Sequence, residues 1–577
     1  MKKKLLPALI VTGLIILVVI IMGITALINK YTPTKKTEDL KEYFNISSDD
    51  EAALIVDNEL SDYKAKIIDK KIYVDYKFVH DSLNSRFYWD ANENVLLYTT
   101  ASDIISAAAD SNNYSVTKQT NDFGYPIVKA TSDSALIALD YVKQYSNITF
   151  KSYDDPARIV ITSKWDEIDS ATVSKSTQVR VKGGIKSPIL KEVKKDDKIT
   201  ILDSGDKWDK IATEDGVIGY IKRKALSESK KTKLTNPDYE EETFTHIKKD
   251  KDICLAWNQV TSQSANSKVP QVISSTKGIN IMSPTWFYLN DNNGNLADIA
   301  SKDYVSYCHS QGIEVWGLFS NLENTDVDAA YVLTHTSTRT TLINQIMSAA
   351  FNYELDGVNI DFENITEAAY GDSYIEFIRE LAIKCHNNGI SLSVDVTVPA
   401  SFNKFFNRSD MANFADYIVI MGYDEHYKGS DAGSVSSIPW VTEGVESTLK
   451  EVPADQIILG MPFYTRIWEL TPKEDDDAVT DTEDQSKYTV ASQVYSMDAA
   501  AAQLATNNAT AALDEESGQN YAEWSVSNKL YKVWLEDSTS LEKRLKLVDD
   551  NKLAGAAFWK LGFENSSVWD TVIKYLD

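Results

Sequence analysis

Residues 355–365 read LDGVNIDFENI, and in that run Asn359, Asp361 and Glu363 stand at every second position with Val358, Ile360 and Phe362 between them. Successive side chains of a strand point to opposite faces, so an amide and two acids share one face and three large apolar groups share the other. Buried carboxylates are costly without a partner or a task. Acids two positions apart on one face have Cα atoms about 6 to 7 Å apart. The negative charge of Asp361 therefore disfavours ionisation of Glu363, which stays protonated and able to donate. The chemistry implied is proton transfer by a carboxyl group at the end of a strand.

Such a strand needs a frame, and eight apolar runs from residue 251 onward supply one: DICLAWNQV, GINIMSPTWFYLN, GIEVWGLFS, LDGVNIDFE, GISLSVDVTVP, ADYIVIMGYDEHY, QIILGMPFYTRIW and LAGAAFWKLGF. Most gaps between them hold a helix, and strands alternating with helices imply parallel pairing. Eight such units over 251–577 predict a closed (β/α)8 barrel. In a barrel Val358, Ile360 and Phe362 turn outward against helices, while Asn359, Asp361 and Glu363 point inward. Glu363 lies nearest the C-terminal rim, where barrel enzymes keep their active sites. The longest gap, about 469–530, contains the acidic KEDDDAVTDTEDQ and predicts an inserted α+β subdomain beside the site.

On these motifs the region resembles family 18 glycoside hydrolases. DGVNIDFE looks like the family's DGxDxDxE signature, MGYDEH matches its strand-six motif, and Trp559 in AAFWKLG matches the tryptophan ending strand eight. Most retaining glycosidases use two carboxyl groups, and family 18 is an exception in which the substrate assists. The resemblance implies that Glu363 is the general acid and later the base, and that Asp361 orients the sugar's acetamido group. It implies that Tyr423 holds that group from the other side, that Asp424 contacts sugar or Asp361, and that Met421 and Trp559 meet the substrate. Asn359 departs from the family's aspartate; an amide donates hydrogen bonds but takes up no charge. In strand three WGLFSN replaces the family's SxGG. Trp286, Phe287, Tyr464 and Trp468 are candidates to extend a sugar-stacking cleft, and core packing explains them equally well. His426 reads as a loop residue without ligand-spaced partners, so no metal or other cofactor is expected.

The N-terminal half carries the other modules. Residues 1–4 contain Lys2, Lys3 and Lys4, and residues 5–28 carry no charge. That apolar run is long enough to span a bilayer, and the lysines would stay inside. A cleaved signal peptide is the rival, with a shorter apolar core of about 7 to 15 residues. After a linker, 29–45, residues 46–165 resemble the small stalk domain at the N-terminus of some copper amine oxidases and of bacterial surface proteins, read here as a spacer. Residues 170–228 resemble a bacterial SH3-like domain, and residues 229–250 read as a second linker. Within 171–227, 13 basic residues face 8 acidic ones on an otherwise acidic chain. That excess suits anionic cell-wall polymers or a solvated spacer barrel.

A chain of 577 residues with 43% hydrophobic content supports several cores, and its formal charge of −26 excludes general nucleic-acid binding. Cys254, Cys308 and Cys385 show no metal or disulfide spacing and read as core thiols. The expectation is a cell-membrane protein, single-pass, whose extracellular barrel cleaves β-1,4 bonds after N-acetylglucosamine, with peptidoglycan the favoured polymer. The alternatives are a chitinase and a weakly catalytic glycan-binding protein.

Overall fold

At the N-terminus the uncharged run forms one helix, Lys2–Tyr31, of which Pro7–Tyr31 is long and apolar enough to cross a membrane. The computed structural model describes residues 2–363, 365, 370–473 and 484–576. Most of the acidic run expected within the insertion, 474–483, lies outside the described residues.

The chain divides into two units, one of residues 1–89, 107–114 and 121–241 and the other of residues 90–106, 115–120 and 242–577. The first unit contains two seven-stranded sheets. One is built on Glu51–Val56, paired antiparallel with Glu59–Ile68 and parallel with Arg158–Thr162. The other is antiparallel from Glu167–Thr172 to Lys230–Lys233. A cluster including Ala53, Ile55, Val179, Leu190 and Ile211 is shared by both sheets.

The second unit contains the barrel. Its strands are β1 (Ile253–Asn258), β2 (Ile281–Leu289), β3 (Glu314–Ser320), β4 (Gly357–Asp361), β5 (Ser391–Thr397), β6 (Tyr417–Met421), β7 (Ile457–Pro462) and β8 (Gly555–Trp559). Each pairs in parallel with its sequence neighbours, and β8 pairs with β1 to close the ring. Alternation decides which side chains go where. Ile253, Leu255, Trp257, Trp316, Leu318 and Val419 fill the interior, while Cys254, Val358, Ile360, Leu392 and Ile420 pack outward. All three cysteines are buried and unbridged, as their spacing predicts, and burial pushes the Cys254 thiol up to about 12.

Gly357 explains the glycine of the DG pair. It shares the inward face of β4 and lies opposite Trp316, where an added Cβ would come within 2.5 Å of the indole. Behind β4, helix Gly371–His386 buries Tyr374, Ile378, Leu381 and Cys385, the apolar positions its spacing predicts. The same helix carries buried charges, and each is paired: Glu380 with Arg339 at 2.8 Å, and Arg379 with Glu376 and Asp410.

Between β7 and β8 the chain forms a five-stranded antiparallel sheet and a helix, Met497–Thr506. Its described strands run from Tyr464 to Leu535, wider than the 469–530 that the gap in periodicity suggested. The return to the barrel is helix Ser538–Asn551, which Asp537 caps by accepting from the backbone N–H groups of Thr539 and Ser540.

Candidate active site

Asp361 ends β4, and Glu363 follows two residues later at the C-terminal rim, its backbone N–H donating to Oδ1 of Asn321 at 3.0 Å. A cavity of about 550 Å³ opens there, lined by Asp361, Glu363, Asp395, Asp424 and Glu425 and by Trp257, Phe402, Tyr423, Tyr427, Trp440 and Trp559. Five carboxyl groups face this space, and none of its described lining residues is a lysine or arginine. Such a surface repels anions and stabilises a positive charge developing inside it.

Beneath the rim, Asn359 is fully enclosed and every arm of its amide is used. Its carbonyl accepts from Trp257 Nε1 at 2.9 Å and from the Ser283 hydroxyl at 3.0 Å; its NH2 donates to the Ser393 hydroxyl at 3.0 Å and to Oδ1 of Asp395 at 2.7 Å. This network also fixes the orientation of the amide. Asp361 differs, because its buried Oδ1 has no hydrogen-bond partner. An acceptor left open in this way is costly unless a ligand completes it.

Burial and neighbouring charge both disfavour the ionised forms of these acids. Asp361 is raised well above the ordinary aspartate value, first by burial and then by the charges of Asp395, Glu363 and Glu323. Asp395 is raised the same way, by burial and by Glu363, against the opposing hydrogen bond from Asn359. Glu363 remains open to solvent at the rim, yet the protein around it removes enough water to raise its carboxyl, with help from Asp424 and Glu323. Like carboxylates this close do not all ionise together.

The aromatic walls are packed edge to face. Trp257 meets Trp559 at 5.9 Å and Tyr423 at 6.4 Å between ring centroids, and Tyr423 meets Tyr464 at 6.2 Å. Asp424, at φ 61, occupies the left-handed region that aspartate tolerates better than most residues, and its Oδ1 accepts the Tyr464 hydroxyl.

Residues 316–564 match the family described as Glycosyl hydrolases family 18. The barrel is a family 18 glycosidase domain. The chain is 24% identical over 302 residues to a glycosylase of Bacillus subtilis, YvbX, covering 49% of this chain and 81% of that protein. It is also 24% identical over 287 residues to the cortical fragment-lytic enzyme of the same bacterium, covering 48% of this chain and 63% of that protein, so it spans less than two thirds of this second relative. Among solved structures, the spore cortex-lytic enzyme SleL of Bacillus cereus superposes with a TM-score of 0.50 at 18% identity, over 60% of this chain and 79% of that one. That likeness supports the fold alone.

Within the family 18 domain, six sequence candidates line one cavity: Asp361, Glu363, Met421, Tyr423, Asp424 and Trp559. Asn359 lies directly below it. Tyr464 is 4% exposed and stands behind the cavity wall, bonded to Asp424 and packed on Tyr423. Three candidates are corrected. Trp286 and Phe287 belong to the outer core, where Trp286 Nε1 donates to Asn266 at 2.8 Å and Phe287 stacks on Phe319. The physical reason is a break in the β2 ladder between Thr285 and Phe287, which lets two successive aromatics face the helices. Trp468 is enclosed in the inserted sheet's core, with Nε1 donating to the Gly433 carbonyl at 2.8 Å. His426 folds back within its loop, its Nδ1 2.9 Å from the Asp431 carbonyl oxygen.

Sequence reasoning missed Asp395, Trp257, Phe402, Tyr427, Trp440 and Glu425. Two of these had a readable signal. SLSVDVT alternates as β4 does, which puts Ser391, Ser393 and Asp395 inward, and Trp257 shares the inward face of Ile253 and Leu255.

Proposed function

We propose that this chain hydrolyses the β-1,4 bond after N-acetylglucosamine with retention of configuration, the sugar's acetamido group serving as nucleophile, and that peptidoglycan or its fragments are the substrate. The observation that carries the reading is the pairing of Glu363, a carboxyl open to the cavity whose ionisation is disfavoured by burial and by Asp424 and Glu323, with Asp361, an enclosed carboxyl whose Oδ1 lacks a partner. Glu363 gives its proton to the glycosidic oxygen while the acetamido oxygen attacks C1; Glu363, now a carboxylate, then takes a proton from the water that opens the cyclic intermediate. Asp361 accepts the acetamido N–H through its open oxygen and, as a carboxylate, offsets the positive oxazolinium. Tyr423 closes the other side of the acetamido pocket, Asp424 orders the rim, and Trp559 supplies an apolar face for the pyranose.

Peptidoglycan is favoured over chitin because cortical fragment-lytic enzymes are among the similar proteins and because a membrane-long apolar helix precedes the folded units. In this reading Lys2–Tyr31 anchors the chain with the barrel on the wall side, residues 46–165 act as a stalk, and the basic SH3-like region at 170–228 lies close to anionic wall polymer. Chitinase activity is the second reading, supported by the same cavity. Full-length protein in detergent, assayed on chito-oligosaccharides and on defined muramyl-containing glycans with product analysis, separates the two. Glu363→Gln should lower kcat by about 10²- to 10⁴-fold while binding persists; undiminished hydrolysis would overturn the assignment.

A further inference from the structure

The acid that faces Asp361 is not on its own strand. Ile360 of β4 pairs with Val394 of β5, so the next residues, Asp361 and Asp395, are neighbours across strands about 4.8 Å apart. Both line the cavity, and neither has an ion-pair partner among the described residues. The groups facing Asp395 are Asn359 from the layer below, Asp361 and Glu363 from β4 and its exit, Tyr423 from the exit of β6, and Tyr374 from the helix behind. None of them is a cation. Asn359 uses one Asp395 oxygen, Oδ1, and leaves the other for a proton.

We infer that Asp395 is the proton partner of Asp361 in turnover, the place in β5 to which the proton retreats when Asp361 must become a carboxylate. This rests on the hydrolytic reading above and deepens it. In the resting site the two carboxyl groups share one proton and one negative charge. As the acetamido oxygen bonds to C1 and the oxazolinium ring becomes positive, that proton moves from an Asp361 oxygen to the free oxygen of Asp395. The pair keeps a charge of −1 throughout, and the charge is transferred to the side next to the cation. When water opens the ring the proton returns. Asn359 cannot do this work, since an amide does not accept a proton near neutral pH; it donates to Oδ1 of Asp395 and so leaves the second oxygen to take the proton. Asp395 acts through Asp361 and is a positioning residue in that sense.

The test is an exchange of the two side chains, in the full-length protein, with turnover, KM and pH profile measured on the same glycan. Asp395→Asn keeps an oxygen for the Asn359 amide and removes the proton site. It should lower kcat at least about tenfold with KM within about twofold, and change the shape of the kcat–pH profile, because Asp361 then titrates alone instead of as one half of a pair. The double variant Asn359→Asp/Asp395→Asn returns one carboxyl group to the layer below Asp361 and should recover to within about threefold of the natural rate. A single variant with unchanged kcat and pH profile overturns the inference, and so does a folded double variant as slow as the single one or slower. Should Asp395→Asn not fold, the double variant alone decides by the same rate criterion. Glu363→Gln run alongside separates the two claims: full activity there removes the hydrolytic reading, whereas loss there with unchanged Asp395→Asn removes only the role of Asp395.

Discussion

The hydroxyl of Tyr464 donates to Oδ1 of Asp424 at 2.5 Å, joining the first strand of the inserted sheet to the loop that leaves β6. Arg466, on the same strand, brings Nη2 to 3.9 Å of that oxygen. The insertion therefore does more than flank the cavity, because it holds one of the cavity's acids in place. Burial and Asp424 push the Tyr464 phenol well above its ordinary value, so it remains a donor across the working pH range.

Tyr464→Phe removes this bond and keeps the ring against Tyr423. A hydrogen bond to a charged group contributes about 1.5 to 3 kcal/mol, so kcat/KM should fall roughly tenfold or more with the circular dichroism spectrum unchanged. Natural activity in this variant would mean that Asp424 orders itself without the insertion.

Phe402 is 79% exposed at the cavity's edge, where its ring offers a flat apolar face to a sugar bound in the cavity. Phe402→Ala should raise KM for long oligosaccharides about three- to tenfold, leave kcat nearly unchanged, and alter stability by less than about 0.5 kcal/mol. An equal rise for a substrate too short to reach the rim would count against stacking.

Asn359→Asp alone should not improve the enzyme. The substitution keeps acceptors for Trp257 and Ser283 but loses the two bonds its NH2 makes to Ser393 and Asp395, and sets a carboxyl against Asp395. Leaving buried groups unsatisfied costs about 1 to 3 kcal/mol, so the melting temperature should drop by several degrees. A gain in turnover of several orders of magnitude would show instead that the natural amide impairs catalysis.

How far the sequence carried depends on periodicity. The face of β4 was legible because side chains in a strand alternate strictly, and the barrel followed because eight such strands recur with helices between them. Tyr423, Met421 and Trp559 were found through motifs at strand ends. Asp395 was as readable as Asp361 by alternation, but it stands alone among serines and carries no motif. Phe402, Tyr427 and Trp440 lie beyond the strands that position the other wall residues, where no period marks which side chains turn toward the cavity. Trp286 and Trp468 misled because an aromatic near a strand end looks the same whether it faces sugar or core, and in Trp286 a local break in the ladder decided the outcome.

Asp361 and Asp395 also set how stability varies with pH. Both are raised above the ordinary value of 3.8 by burial and by neighbouring carboxylates, so the folded state binds their protons more tightly than the unfolded chain does. Their contribution to stability is therefore complete below about pH 4 and is lost as pH rises through the folded values. Elsewhere in the same unit, Asp291, Glu469 and Asp514 are lowered by hydrogen bonds or an ion pair and act in the opposite sense, stabilising above the ordinary value and losing that effect as pH falls. A difference measurement separates the two groups. Asp395→Asn removes one buried acid and lets Asp361 ionise more easily, so its melting temperature should exceed that of the natural protein by a few degrees at about pH 8, and the excess should shrink toward zero near pH 4. Calorimetry of both proteins across that range checks the sign: an excess that grows on acidification would mean that Asp395 is ionised and stabilising in the folded barrel, and the single shared proton would have to lie elsewhere.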